Sequence, residues 1–175
     1  QVRLLDSDFS RAAAINLDDL HSLPVDRLAH SFRVQAGLPS TAKPLGGWEK
    51  PDCELRGHFT GGHYLSAAAI AWSAHGDATL KARGDELVGI LAGCQRPNGY
   101  LSAFPESFFD RLSAGQKVWA PFYTVHKIQA GMLDMYRLAG NAQALAVARG
   151  IGNWTVRWLN GFSDTDIAHI LSLIH

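Results

Sequence analysis

Arg56 to Ala67 reads RGHFTGGHYLSA, and the run continues as AAIAWSAHGD to Asp77. A polar, glycine- and histidine-rich loop leads straight into a nearly apolar helical run. The same design returns at Ala120 to Gly131, which reads APFYTVHKIQAG. His63 and His126 stand 63 residues apart, and Gly76 and Gly140 stand 64 apart. Each unit is a polar aromatic loop, an apolar helix led by histidine, a Gly-Asp or Gly-Asn turn, and an outer amphipathic helix. Repeated helical hairpins stack into solenoids or close into toroids. This unit exceeds the roughly 34–47 residues of common helical repeats, which favours a toroid with long loops at one mouth.

The rest of the chain follows helical period. Asp6 to Leu20 places Phe9, Ala13, Leu17 and Leu20 on one stripe, with Ser7 or Asp8 as cap. Pro24 to Ala36 reads as a second helix opened by proline and carrying Leu28, Phe32 and Gln35. Four glycines and three prolines then fall between Gly37 and Gly57, so a long ordered loop is expected. His63–His75 is apolar on every side, which predicts burial all round. Asp77–Gln95 is amphipathic, with Leu80, Leu87, Ile90, Leu91 and Cys94 on one face. A second long loop, Arg96–Pro121, precedes helices over Thr124–Ala139, Ala142–Leu159 and Asp164–Ile174. Alternation of period two is scarce, and the class is all-α: helical hairpins of an α/α toroid.

Composition narrows the partners. The chain has 175 residues, 47% apolar and 18% charged, a globular balance large enough for a core. Lys plus Arg and Asp plus Glu both number 16, with no basic block, so nucleic acid and membrane surfaces are not expected partners. No apolar run is long enough to span a bilayer. Cys53 and Cys94 lie in unlike contexts and read as buried free thiols, with a disulfide as the alternative; two thiols alone make a poor zinc site.

The loops hold the candidate binding groups. His58 and His63 flank Gly61-Gly62 and do not form the helical pair of a zinc protease. Histidine both donates and accepts near neutral pH, so either ring suits polar ligands; the plainer reading is that it braces the loop. His126 opens a helix just after an aromatic loop, although a lone histidine there is more often a satisfied core residue. Trp48, Tyr64, Tyr100, Trp119 and Tyr123 are loop or loop-edge aromatics. Flat rings stack on sugar faces, or else simply pack the loops. Glu49, Asp52, Glu54, Glu106 and Asp110 are the nearby acids. A glycosidase needs a carboxyl pair, or a carboxyl and another nucleophile, at about 5–10 Å, and nothing in the spacing brings two of these together. They read as surface or loop-bracing groups, with Arg56 and Arg111 as candidate partners.

Motifs spread along the chain carry a family resemblance. They run from LLDSDF at Leu4 through GLPS, GGWE, PDCELRGHF, HYLSA, NGYLSAFPE, VWAPFYTVHKI and LDMYRLAGN to QAL at Leu145. In these the chain resembles the N-terminal part of the catalytic domain of β-L-arabinofuranosidase-type glycoside hydrolases, families 127 and 146. It departs from their pattern at Gly61-Gly62, where one glycine is usual. The resemblance implies an (α/α)6 barrel, about half of which these helical hairpins would form, followed by β-sandwich modules, and retaining hydrolysis of L-arabinofuranosides from plant glycans. It also implies a cysteine nucleophile held by zinc, and a separate glutamate as acid/base. Those groups are expected beyond the C-terminus of this chain, so no catalytic residue or metal ligand is assigned within it. The binding wall that carries over is His126, His63, His58, Tyr123, Trp48, Tyr100 and Trp119.

Residues 1–175 are thus expected to be the N-terminal portion of such a domain, truncated at its C-terminus and inactive alone. Exposed inner helices would favour self-association. The expected partner is a carbohydrate, and the expected setting is extracellular or periplasmic. The rival reading is a noncatalytic carbohydrate-binding or helical assembly domain.

Overall fold

A computed structural model describes residues 4–172. Among the described residues, eight α-helices, one 3-10 turn and one π-helical turn account for the regular structure, and no strand occurs. The α-helices are α1 (Asp8–Ser22), α2 (Val25–Gln35), α3 (Leu65–His75), α4 (Ala78–Cys94), α5 (Ser107–Ser113), α6 (Pro121–Ala139), α7 (Ala142–Leu159) and α8 (Asp164–Ser172). The final helix was expected to reach Ile174; residues 173 and 174 lie outside the described range.

Three hairpins, α1–α2, α3–α4 and α6–α7, lie side by side. In the inner row α3 packs between α1 and α6, and in the outer row α4 packs between α2 and α7. The architecture is an all-α arc of a helical barrel.

The repeat seen in the sequence is a repeat of turn chemistry. α3 ends on Gly76 at φ 73° and α6 on Gly140 at φ 76°, a left-handed closure that favours glycine. The next residue then caps the following helix. Asp77 accepts from the Leu80 N–H at 2.9 Å, and Asn141 accepts from the Ala144 N–H at 2.9 Å. Ser7 caps α1 in a reciprocal capping box with Ser10.

The core runs between the rows. Leu28 and Phe32 of α2, Leu80, Leu87 and Leu91 of α4, and Ile128, Met132 and Met135 of α6 are buried together. Each such side chain contributes about 1.5–3 kcal/mol of transfer free energy. Two expectations fail. The α1 stripe is a core face only in part: Leu20 is buried and Leu17 half-buried against the core, but Phe9 is 77% exposed. Nor is α3 buried on every side, since Ile70 is 52% exposed. Cys53 and Cys94 are buried free thiols, so the disulfide alternative falls.

The helices bounding the long loops start earlier than their hydrophobic pattern. Pro121 occupies the first turn of α6, directly after Ala120 at φ 47°. A π-helical turn, Phe59–Tyr64, runs directly into α3. Its two glycines lie against α6 with no room for a Cβ. A Cβ on Gly62 would stand 2.7 Å from the Lys127 Cβ, and one on Gly131 would stand 2.3 Å from the Gly61 carbonyl oxygen. The doubled glycine is therefore a packing requirement. A π turn holds one residue more than α-helical spacing allows, and here it accommodates that residue without breaking the helix.

Candidate functional site

The first long loop closes on a buried carboxylate. Glu49 sits in a short 3-10 turn, Gly47–Glu49, and is 6% exposed. Its Oε2 accepts the Gly57 N–H at 2.8 Å, and its Oε1 accepts the Phe59 N–H at 2.9 Å. His58 lies between those two donors, with Nδ1 2.9 Å from the same Oε1 and 2.8 Å from the Leu55 carbonyl oxygen. Thr124 of α6 donates to that carbonyl from the other side, at 3.1 Å. Residues 49–59 are thereby locked to the start of α6.

Around His58 stand three rings. Trp48, His63 and Tyr123 have centroids 6.1, 5.7 and 5.9 Å from it. Trp119 meets Trp48 edge-on at 6.4 Å. Glu54 holds Trp119 in place, accepting its backbone N–H at 2.7 Å and an Arg111 N–H at 3.2 Å. Lys127 lies over the Tyr123 ring, 5.2 Å from its centroid. Trp48 is 63% exposed and Trp119 49%, so both indoles face solvent. Beside Trp48, a hollow of about 300 Å³ is lined by Leu45, Gly46, Glu49, His58 and Phe59.

The two histidines differ in charge preference. His58 is pushed above the usual imidazole value, first by its hydrogen bond to Glu49 and against a penalty from burial. His63 is pushed below it, by partial burial first and then by the positive charges of Lys127 and His58. Around neutrality a proton therefore favours His58 over His63.

Of the seven residues expected at the wall, the structure gathers five: Trp48, His58, His63, Trp119 and Tyr123. His126 is exposed on α6, three residues beyond Tyr123, and makes no ring contact with the cluster. Tyr100 lies elsewhere. It is 2% exposed, donates its hydroxyl to the Phe104 carbonyl at 2.8 Å, and packs on Phe109 and Trp154. Burial pushes its phenol far above its ordinary value. This tyrosine belongs to the core, because the Arg96–Pro121 loop folds inward there.

Glu49 was expected to brace a loop, and it does more, since it reaches the ring at the centre of the cluster. No spacing rule would find this, because two of its partners are backbone N–H groups that leave no mark in the sequence. The expected pairing of Arg111 with an acid is met by Glu54. Arg56 instead donates to the carbonyls of Ala103 and Cys53, at 2.8 Å each.

The zinc implied by the resemblance does not fit the residues present. Among the described residues no three His, Cys, Asp or Glu are placed to hold a metal ion. Burial pushes the Cys94 thiol upward, against the thiolate a metal needs.

A family model described as β-L-arabinofuranosidase, GH127 catalytic domain, matches residues 1–175. No curated protein matches the chain.

Proposed function

We propose, from the premise that this chain belongs to the GH127 glycoside hydrolase family, that it supplies a sugar-gripping wall for hydrolysis of L-arabinofuranosyl groups. The observation that carries this reading is the cluster of Trp48, His58, His63, Trp119 and Tyr123, with both indoles open to solvent. Indole faces cover the apolar side of a sugar ring, while imidazole and phenol groups reach its hydroxyls. His126, exposed one turn along α6 from Tyr123, extends the same face.

The wall binds and orients; the nucleophile and acid/base are proposed to lie outside these 175 residues. Two observations support that division. Both thiols are buried in the packing of the chain. The carboxylate at the wall, Glu49, is committed to two backbone donors and an imidazole.

Titration with methyl β-L-arabinofuranoside, followed by tryptophan fluorescence, tests the reading. Saturable quenching that disappears in Trp48→Ala is expected. No response from the folded protein would overturn it. Turnover of an aryl β-L-arabinofuranoside by this chain alone would overturn the division of labour.

A further inference from the structure

We propose that Glu49 is a positioning residue: it fixes His58 with the Nδ1 proton turned into the protein, so that Nε2 is the ring atom offered to the ligand. The inference rests on the sugar-binding reading of the wall and assigns a role inside it.

The geometry leaves Nδ1 one state. Both groups that face it, Glu49 Oε1 at 2.9 Å and the Leu55 carbonyl oxygen at 2.8 Å, accept hydrogen bonds. Nδ1 therefore carries a proton whether the ring is charged or neutral. The neutral ring has its lone pair on Nε2, and the charged ring adds a second donor there. Nε2 makes no hydrogen bond within the described chain. The carboxylate cannot turn away, because Gly57 and Phe59 hold its two oxygens through their N–H groups.

The charged and titratable groups facing His58 are Glu49 from the 3-10 turn, His63 from the π turn, and Lys127 and Tyr123 from α6. Glu49 attracts a proton to His58, while Lys127 and His58 together discourage one on His63. At pH values between the two titrations the pair presents a cationic donor beside a neutral ring. That combination suits two neighbouring hydroxyls of one sugar, one accepting and one donating.

Long-range proton–nitrogen NMR on the 15N-histidine-labelled chain tests this directly. In the wild type, neutral His58 should carry its proton on Nδ1 and should titrate above 6.5. Glu49→Gln should lower that titration, since it removes the charge and one acceptor. Methyl β-L-arabinofuranoside should move the His58 Nε2 resonance. Its affinity should fall as pH rises through the His58 titration, and the fall should come at lower pH in Glu49→Gln. A carboxylate that merely braced the loop would weaken binding by one factor at every pH.

An Nε2-protonated neutral ring in the wild type overturns the proposal without recourse to any variant. So does an unshifted His58 titration in Glu49→Gln. If the glycoside moves Trp48 and Tyr123 signals but not His58 Nε2, the positioning role falls and the wall stands. If it moves none of them, the wall reading falls and the positioning role falls with it.

Discussion

Two aromatic clusters lie in this molecule, one wet and one dry. In the wet one, Trp48 and Tyr123 lie beside His58, Trp119 meets Trp48, and all three rings reach solvent. In the dry one, Phe109 sits at 0% exposure amid Tyr100, Phe104, Phe122, Trp154 and Trp158. Both draw on the Arg96–Pro121 loop: Tyr100, Phe104 and Phe109 go inward, while Trp119 stays out. What separates them is the polar support beneath. The dry cluster satisfies its few polar atoms internally, with the Trp154 N–H donating to Glu106 at 2.7 Å. The wet cluster rests on Glu49, which grips backbone and the His58 ring, and on Glu54, which grips backbone and leaves the Trp119 indole free. The same residue types thus serve cohesion in one place and presentation in the other.

The sharpest way to break this contrast is Phe109→Ala. Emptying the centre of the dry cluster should cost about 3–5 kcal/mol in urea denaturation. A loss below about 1 kcal/mol would mean the cluster is not the packed unit described. Gly131→Ala comes next. Its new Cβ would meet the Gly61 and Gly62 carbonyl oxygens at 2.3 and 2.8 Å. Overpacking of this kind costs about 1–3 kcal/mol, and here it should also disturb the histidine NMR signals of the wall. Tyr100→Phe keeps the ring and loses the hydrogen bond to Phe104, for about 1 kcal/mol by thermal unfolding and no change in glycoside binding.

A drift with pH is the subtler effect. Because the folded state raises the His58 value, its stabilisation is complete below about 6.5 and is lost as pH rises through the folded value. Urea midpoints measured from pH 6 to 9 should show a loss in the wild type that shrinks in Glu49→Gln. Trp119→Ala should change stability least, within about 0.5 kcal/mol, while weakening glycoside binding. Equal stability losses for Trp119→Ala and Phe109→Ala would erase the distinction between the clusters.

The hairpins were legible from sequence because helical period and the Gly-Asp and Gly-Asn turns are local signals. Ala142–Leu159 was placed to the residue, and its neighbours within a few residues. α5 was missed, since Ser107–Ser113 is short and its apolar residues crowd together without clear period. The early starts before α3 and α6 were missed for another reason. Gly61-Gly62 and Pro121 read as punctuation, yet tertiary packing on α6 makes glycine the best fit inside a helical turn. Five of the seven wall residues came together because loop aromatics and helix-entrance histidines share a mouth. Tyr100 could not be told from Trp119 by type alone. Exposure of α1 was equally illegible, since an amphipathic stripe records a face to be covered and not what covers it.

The π turn at Phe59–Tyr64 has a consequence for how the wall is aimed. Residues of an α-helix advance by about 100° each around its axis. One residue gained or lost at Gly61-Gly62 would swing His58 by about that angle relative to α3, with every side chain unchanged. The bearing of the wall is therefore written in the length of this segment as much as in its composition. Two chains with these same rings but unequal glycine counts here would point them in different directions.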